Sequence, residues 1–353
     1  MLWILHTTGK CNLRCSYCGG SIPERLMPWR ITYDIDSLKK LLREDPDPTI
    51  IFYGGEPLLN SKAIMEIMDN VEARYGIQTN GTLPSLLPRE YWERMETVLL
   101  SIDGVEWVTD KYRGKGIYRR VIETARWLSG FCKCRRIARM TVTSDTCIYR
   151  DVVHLLETGY FTHVHWQLNV VWSKKWRLLE WAKNRYLPGI ARLARYFSEH
   201  IARGEVPGII PFLGILTAEK KGGWGHVPCG AGKYSFSVTT DGRIIACPIA
   251  LEEKWAVLGH VSTGILKRIE VKDASPECMR CPYFKWCGGR CLFALYEKYW
   301  GLRGFRDVCW VTQRTIDHVL RIFPLVEKLV ERGVISWEQI LYDPLRDSTE
   351  VIP

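Results

Sequence analysis

The stretch CNLRCSYC, residues 11–18, carries three cysteines spaced C-x3-C-x2-C. It follows the apolar run Leu2–His6, which reads as a first β-strand. Ligands of α/β folds gather in the loops after such strands. Three thiolates can hold three irons of a cubane cluster and leave the fourth iron open to a small chelating ligand. Zinc is the alternative, but its usual sites pair two C-x2-4-C hooks, and no fourth ligand lies near Cys11, Cys15 and Cys18.

Outward from that loop, the chain to about residue 172 alternates short β-rich runs with amphipathic stretches, the pattern of a parallel sheet with crossover helices. Six strands are expected, over Leu2–His6, Thr49–Tyr53, Gly76–Thr79, Thr97–Ile102, Ile137–Thr143 and His163–Val171. Between the second and third, Ile64, Ile67, Met68 and Val71 share one face of a helix expected over Ser61–Tyr75, with Gly76 as its stop. Six β/α units fall short of a closed eight-stranded barrel, so the pattern alone fits a partial barrel and a doubly wound sheet equally well. A long amphipathic helix, about Trp176–Arg203 with an interruption at Pro188-Gly189, leads to the loop Lys221–Gly225, read as a domain boundary. Beyond it seven cysteines crowd into residues 229–309, and a final helix is expected over about Thr312–Arg332.

The length of 353 residues suits two domains or one large barrel with an appendage. With 46% hydrophobic and 25% charged residues the composition excludes disordered, collagen-like and low-complexity classes. No apolar run approaches the ~18 residues of a membrane-spanning helix. Met1–Cys11 lacks the features of a secretory signal, so a cytoplasmic location is expected. Thirteen cysteines without such a signal point to metal binding or catalytic thiols rather than a disulfide framework. Lys plus Arg (49) exceeds Asp plus Glu (39) by 10, which reads either as an acidic partner or as a solvated basic surface. Asn (6) and Gln (4) are scarce, a balance reported for proteins of very hot habitats.

With Tyr17 just ahead of its third cysteine, the triad resembles that of the radical S-adenosylmethionine (SAM) enzymes. The resemblance implies an α/β fold, a partial (β/α)6 barrel. It also implies a [4Fe–4S] cluster on Cys11, Cys15 and Cys18 whose open iron takes the amino and carboxylate groups of SAM, with Tyr17 near the adenine. In that family an electron from the cluster cleaves SAM to methionine and a 5′-deoxyadenosyl radical that abstracts hydrogen from the substrate. Gly54, Gly55, Glu56 and Pro57 in FYGGEP match the family's SAM-binding GGEP motif, although alone they would read as a glycine turn before a helix-starting proline. Ser101, Asp103 and Gly104 in SIDG stand where relatives contact the SAM ribose, with a turn aspartate as the alternative. GIQTNGTL, with Asn80 and Gly81, resembles the family's third strand and turn.

The downstream cysteines run C229-x12-G242-x4-C247, C278-x2-C281-x5-C287-x3-C291 and then Cys309. This spacing is similar to the SPASM extension of many radical SAM enzymes, which carries two auxiliary [4Fe–4S] clusters. By carry-over Cys278, Cys281, Cys287 and Cys309 ligate one, and Cys229, Cys247 and Cys291 the other. The latter lacks the fourth cysteine that some relatives place where this chain has Ser235. An open iron there could take a substrate thiolate, a water, or a side chain such as His226 or Asp241; a zinc knot is the alternative for the whole region. The implied organisation is a barrel with its following helix over 1–220, a SPASM domain over 221–310 and a terminal helix and tail over 311–353.

His163, His165, Gln167 and Asn169 alternate on the expected sixth strand and share a face, read either as a polar wall toward substrate or SAM, with Gln167 as a cofactor contact, or as satisfied core residues. Cys132, Cys134 and Cys147 fit no motif; the first two are ordinary thiols or a disulfide of a thermophile.

The expected function is hydrogen abstraction from a peptide or small-protein side chain, as in archaeal peptide-modifying radical SAM/SPASM enzymes, with a thioether or carbon–carbon crosslink as product. The alternatives are a sulfatase-type maturase forming formylglycine, with Asp145 or Asp103 as base, a non-catalytic iron–sulfur electron carrier, and a nucleic-acid-modifying protein invited by the KCRRIAR and SKKWR stretches. Nucleic acid is disfavoured. The implied partners are a ferredoxin or flavodoxin donor and, since only ten residues precede Cys11, a separate leader-peptide-binding protein.

Overall fold

The computed structural model describes residues 1–353. Its centre is a run of six parallel strands that neighbour one another in sequence order: β1 (Leu2–Thr8), β2 (Thr49–Gly54), β3 (Arg74–Thr79), β4 (Met95–Ser101), β5 (Arg135–Val142) and β6 (His163–Leu168). β6 does not return to β1, so the barrel stays open on one side. Burial on both faces suits the β-branched and aliphatic content of these strands. In β1, Trp3 and Leu5 enter the large core beneath the helices, whereas Leu2 and Ile4 join Ile51 in a small cluster on the opposite, lumen face, against Tyr53 and Leu345.

The sheet does not stop at the loop 221–225. β7 (Ser235–Val238) pairs parallel to β1, Leu2 opposite Ser235, and β8 (Arg243–Ile245), β9 (Val257–His260) and β10 (Gly264–Ile265) extend it as an antiparallel meander. One ten-stranded sheet therefore carries both cysteine regions. These four strands were not foreseen; they are two to four residues long, too short for a periodicity to register.

Several boundaries differ from the sequence reading, and β3, β4 and β5 each begin two residues earlier than expected. The second helix is Ser61–Asn70, and Val71 is already extended. Gly76 is not its stop but a strand residue, where a side chain would meet Ile51 Cδ1 at 2.5 Å and Thr97 O at 2.8 Å. The long helix spans Leu178–Ile201 with a π-turn at Ala182–Tyr186 ahead of Pro188 rather than a break. Proline cannot donate the next helical hydrogen bond and its ring crowds the preceding turn, so the turn widens. The last helix is two, Gly301–Leu320 and Phe323–Glu331, the second starting where Pro324 fits a first turn. β6 ends at Leu168, leaving Asn169 outside the strand.

Candidate active site

The cysteine loop is tied down by hydrogen bonds from the loops after β2 and β3. Gly55 N donates to Thr8 O at 3.0 Å and Glu56 N to Lys10 O at 2.7 Å. A side chain at position 54 would stand 2.2 Å from Thr8 O, and one at 55 would stand 2.3 Å from Lys10 O, so both glycines are required for this approach. Glu56 is fully buried; its carboxylate accepts from Leu58 N (3.2 Å), Thr79 Oγ1 (2.7 Å) and Asn80 N (2.8 Å). Burial raises its pKa to about 7 against these hydrogen bonds. Pro57 begins a single 3-10 turn that follows. Asn80 Nδ2 reaches back to Asn12 Oδ1 at 2.8 Å, fixing the loop between the first two cysteines.

Within the loop, Cys15 is buried, Cys11 is half-buried and Cys18 is exposed. The Leu13 amide donates to Cys11 Sγ at 3.4 Å. The neighbouring Cys15 lowers the pKa of Cys18, while that contact and burial raise that of Cys15. Three thiols in one short loop are the soft donor set that an iron–sulfur cluster requires.

Two proposed contacts of the loop are committed elsewhere. Tyr17 OH donates to Asp103 Oδ2 at 2.7 Å, with the Arg113 guanidinium 5.4 Å from its ring centroid on one side and Tyr112 stacked at 6.0 Å. Asp103 also accepts from Arg113 Nε and Nη2, both at 2.8 Å, and from Thr141 N at 2.8 Å. Four donors occupy this buried carboxylate, so Asp103 is neither a base nor free for a ribose. Its role is to lock Tyr17 and Arg113 beneath the cysteine loop. Ser101 lies half-buried at the end of β4 beside Arg139, with Gly104 packed on Asp151. Asp145 is bound by Lys111 Nζ and Tyr112 OH, each at 2.6 Å, which hold its pKa below the usual carboxylate range; a depressed carboxylate on the surface is a poor base. Gln167 Nε2 donates to Ile352 O at 3.0 Å.

Downstream, Cys229, Cys247 and Cys291 lie in one another's electric field, as do Cys278, Cys281, Cys287 and Cys309. Burial holds Cys229 and Cys287 up at about 12, so each loses its proton only when a metal takes its place. Between the groups stands Arg290, buried, with Nε on Pro353 O (2.8 Å) and Nη1 on Tyr299 OH (3.0 Å). No Asp or Glu pairs with it; the oxygen it holds belongs to Pro353, the last residue of the sequence, and thiolate-held clusters would add negative charge beside it. Ser235, where some relatives have a cysteine, is buried at the start of β7; of the suggested fourth ligands, His226 Nδ1 donates to Val227 O at 2.7 Å, and Asp241 is spent on Thr239 and Arg243. Cys132 and Cys134 form a disulfide, and Cys147 is free ahead of the Ile148–Glu157 helix.

The sequence reading missed Arg113, Arg290, Asn12, Tyr53 and His6. Tyr53 sits in the field of Cys18, Cys247, Arg139 and Glu350, between the two cysteine regions, and burial raises it to about 12. His6, edge-on to Tyr53 at 5.2 Å, is fully buried with neither ring nitrogen bonded, and burial holds it neutral at about 3. Only Arg290 carried a usable signal, a lone charge inside the CGGRC run.

The parallel barrel and its cysteine loop define the class of the N-terminal part: it is a radical SAM domain, a family that uses a [4Fe–4S] cluster and SAM. Residues 5–143 match the family model described as the Radical SAM superfamily. Among curated relatives, an Archaeoglobus fulgidus protein is 26% identical over 83% of this chain and 74% of its own length. The mycofactocin maturase MftC of Mycolicibacterium smegmatis is 24% identical over 82% and 77%. The cysteine-type anaerobic sulfatase-maturating enzyme of Clostridium perfringens is 24% identical over 82% and 88%. The solved structure of native anSMEcpe with bound AdoMet superposes with a TM-score of 0.71 at 19% identity, covering 93% of this chain and all of that one, which shows the shared fold. No helix is long and apolar enough to cross a membrane.

Proposed function

We infer that the protein modifies a peptide or small protein by hydrogen abstraction, with Cys11, Cys15 and Cys18 holding the SAM-binding cluster and the seven downstream cysteines holding two auxiliary [4Fe–4S] clusters. The observation that supports this reading is the cysteine loop Cys11–Cys18 held against Gly55 and Glu56, together with the spacing of the seven downstream cysteines. When bound, cluster and SAM supply a 5′-deoxyadenosyl radical. The chain orients them: Gly54, Gly55 and Glu56 fix the cysteine loop, and Asp103 and Arg113 hold Tyr17 against it. The donor would be a ferredoxin or flavodoxin, and a separate protein could present the substrate's leader.

The two maturases among the relatives support a peptide substrate, since sequence similarity extends over most of both lengths. Formylglycine formation is the second reading, favoured by the 88% coverage of the sulfatase-maturating relative. A cysteine-bearing sulfatase peptide, with hydrazide capture of the aldehyde, separates it from crosslinking. The decisive test replaces Cys11, Cys15 and Cys18 with alanine. Reconstituted wild type should hold about 12 irons per chain and the variant about 8. Persistent SAM-dependent 5′-deoxyadenosine formation in the variant would sink the assignment of the triad.

A further inference from the structure

The barrel lumen is filled by the chain's own segment Asp343–Pro353, whose course can be followed contact by contact. It enters at the end away from the cysteine loop, where Arg346 pairs with Asp47 at 2.7 Å just ahead of β2. Leu345 packs on the lumen cluster of Leu2, Ile4 and Ile51. Asp347, fully buried, accepts from Thr97 Oγ1 at 2.5 Å and pairs with Arg135 at 2.9 Å; these two partners are opposed near the starts of β4 and β5. Glu350 pairs with Arg139 at 2.7 Å, four residues or about 13 Å further along β5. Gln167 and Arg290 then take the carbonyls of Ile352 and Pro353.

The segment thus climbs the lumen from its far end to the cysteine end. Two of its residues, Ser348 and Val351, adopt left-handed φ of 54° and 63°. For a β-branched residue that conformation costs about 1–3 kcal/mol and persists only where the surroundings impose it. They do so here: Val351 fills the notch left by Gly214, where an added side chain would stand 1.9 Å from Val351 Cγ1. The charge of Glu350 acts on Tyr53, Cys229 and Cys247, and Pro353 reaches Arg290 next to Cys291, so the end of the segment lies by the auxiliary cysteines.

We propose that Glu350–Pro353 form the floor of the substrate chamber, limiting a peptide side chain to the depth of Gln167 and covering the Arg139 cation with Glu350. This rests on the radical reading above. A deeper lumen would admit solvent to the reacting centre and longer side chains to the barrel, and a charged floor would select acidic ones; the segment prevents both.

Hydrogen exchange of the iron-loaded full chain tests the placement. Amides of residues 349–352 should stay protected for about an hour or more, as buried native amides do, and exchange within seconds would overturn the proposal. The chamber role is tested with a chain ending at Thr349, which keeps the Asp347 anchors. Incubated with SAM and dithionite but no peptide, it should form 5′-deoxyadenosine about tenfold faster than wild type, because the unsealed chamber no longer suppresses side reactions. Should that chain fail to fold, Glu350→Gln, which keeps the shape and removes the charge, should raise the same background about threefold. A background equal to wild type in a fully iron-loaded variant would overturn the floor. Absence of 5′-deoxyadenosine from wild type itself would instead bring down the radical reading and the chamber with it, while the exchange result would still report where the segment lies.

Discussion

The loop after β1 and the region beyond β8 each keep one buried arginine beside their thiols, and the two arginines are treated differently. Arg113 is answered by a bidentate carboxylate, Asp103, which also anchors Tyr17 and the Thr141 amide. Arg290 has no acidic side chain beside it, only an oxygen of Pro353, the last residue of the sequence, and a phenol. The first region is therefore a hydrogen-bonded frame that stands without metal. The second buries thiols that favour their protons and a cation with no Asp or Glu partner, so its charge balance waits on the clusters.

Stripping iron from the holoprotein with a chelator should separate them most sharply. Residues 229–309 are expected to lose hydrogen-exchange protection by several kcal/mol, since metal binding free energy is folding free energy, while β1–β6 stay protected. Equal loss in both regions would break the contrast. Next in size, Arg113→Met strands a buried carboxylate and should cost about 3–5 kcal/mol in denaturant unfolding of the apoprotein, whereas Arg290→Met should cost the apoprotein less than about 1 kcal/mol while moving the auxiliary reduction potential to more negative values. Equal costs for the two would refute the contrast between answered and unanswered charge.

Glu56 gives a pH window for the first region. Its folded pKa of about 7 lies above the ordinary value of 4.5, so the folded protein keeps a proton that the unfolded chain has released. The stabilisation is whole below about 4.5 and is lost as pH rises through 7, by about 3 kcal/mol. Urea unfolding of wild type and Glu56→Gln at pH 5 and pH 8 should show that loss in wild type alone. The smallest effect is expected at Asp145, whose partner Lys111 is half exposed. Asp145→Asn should shift stability by about 0.5 kcal/mol or less and leave 5′-deoxyadenosine formation at the wild-type rate; a large loss of turnover would restore it as a catalytic candidate.

The spacings in CNLRCSYC and in the run from Cys278 to Cys291 were legible because cluster ligands cluster in sequence as well as in space. FYGGEP was legible for a related reason: two glycines are needed where backbone passes backbone at 2.2–2.3 Å from any side chain. The carboxylates were not. Asp103 and Asp145 looked like equally available bases in the sequence, and only their partners, Arg113 ten residues on and Lys111 with Tyr112 more than thirty residues back, show that both are spoken for. The π-turn ahead of Pro188 and the strand role of Gly76 were likewise decided by neighbours rather than by local preference.

Sequence by itself determined the chemistry of this protein, because the identity and local spacing of soft ligands is a property of a few consecutive residues. It determined the alternation of β and α for the same reason: the period of apolar residues is local. Tertiary structure alone decided that the sheet runs on through β7 to β10 and that Arg290 stands between the cysteine groups. It also decided that residues 343–353 thread the lumen. Those contacts join positions up to 299 residues apart, as in the Arg346–Asp47 pair. Their energy depends on burial and charge pairing that arise only once the strands have assembled around them.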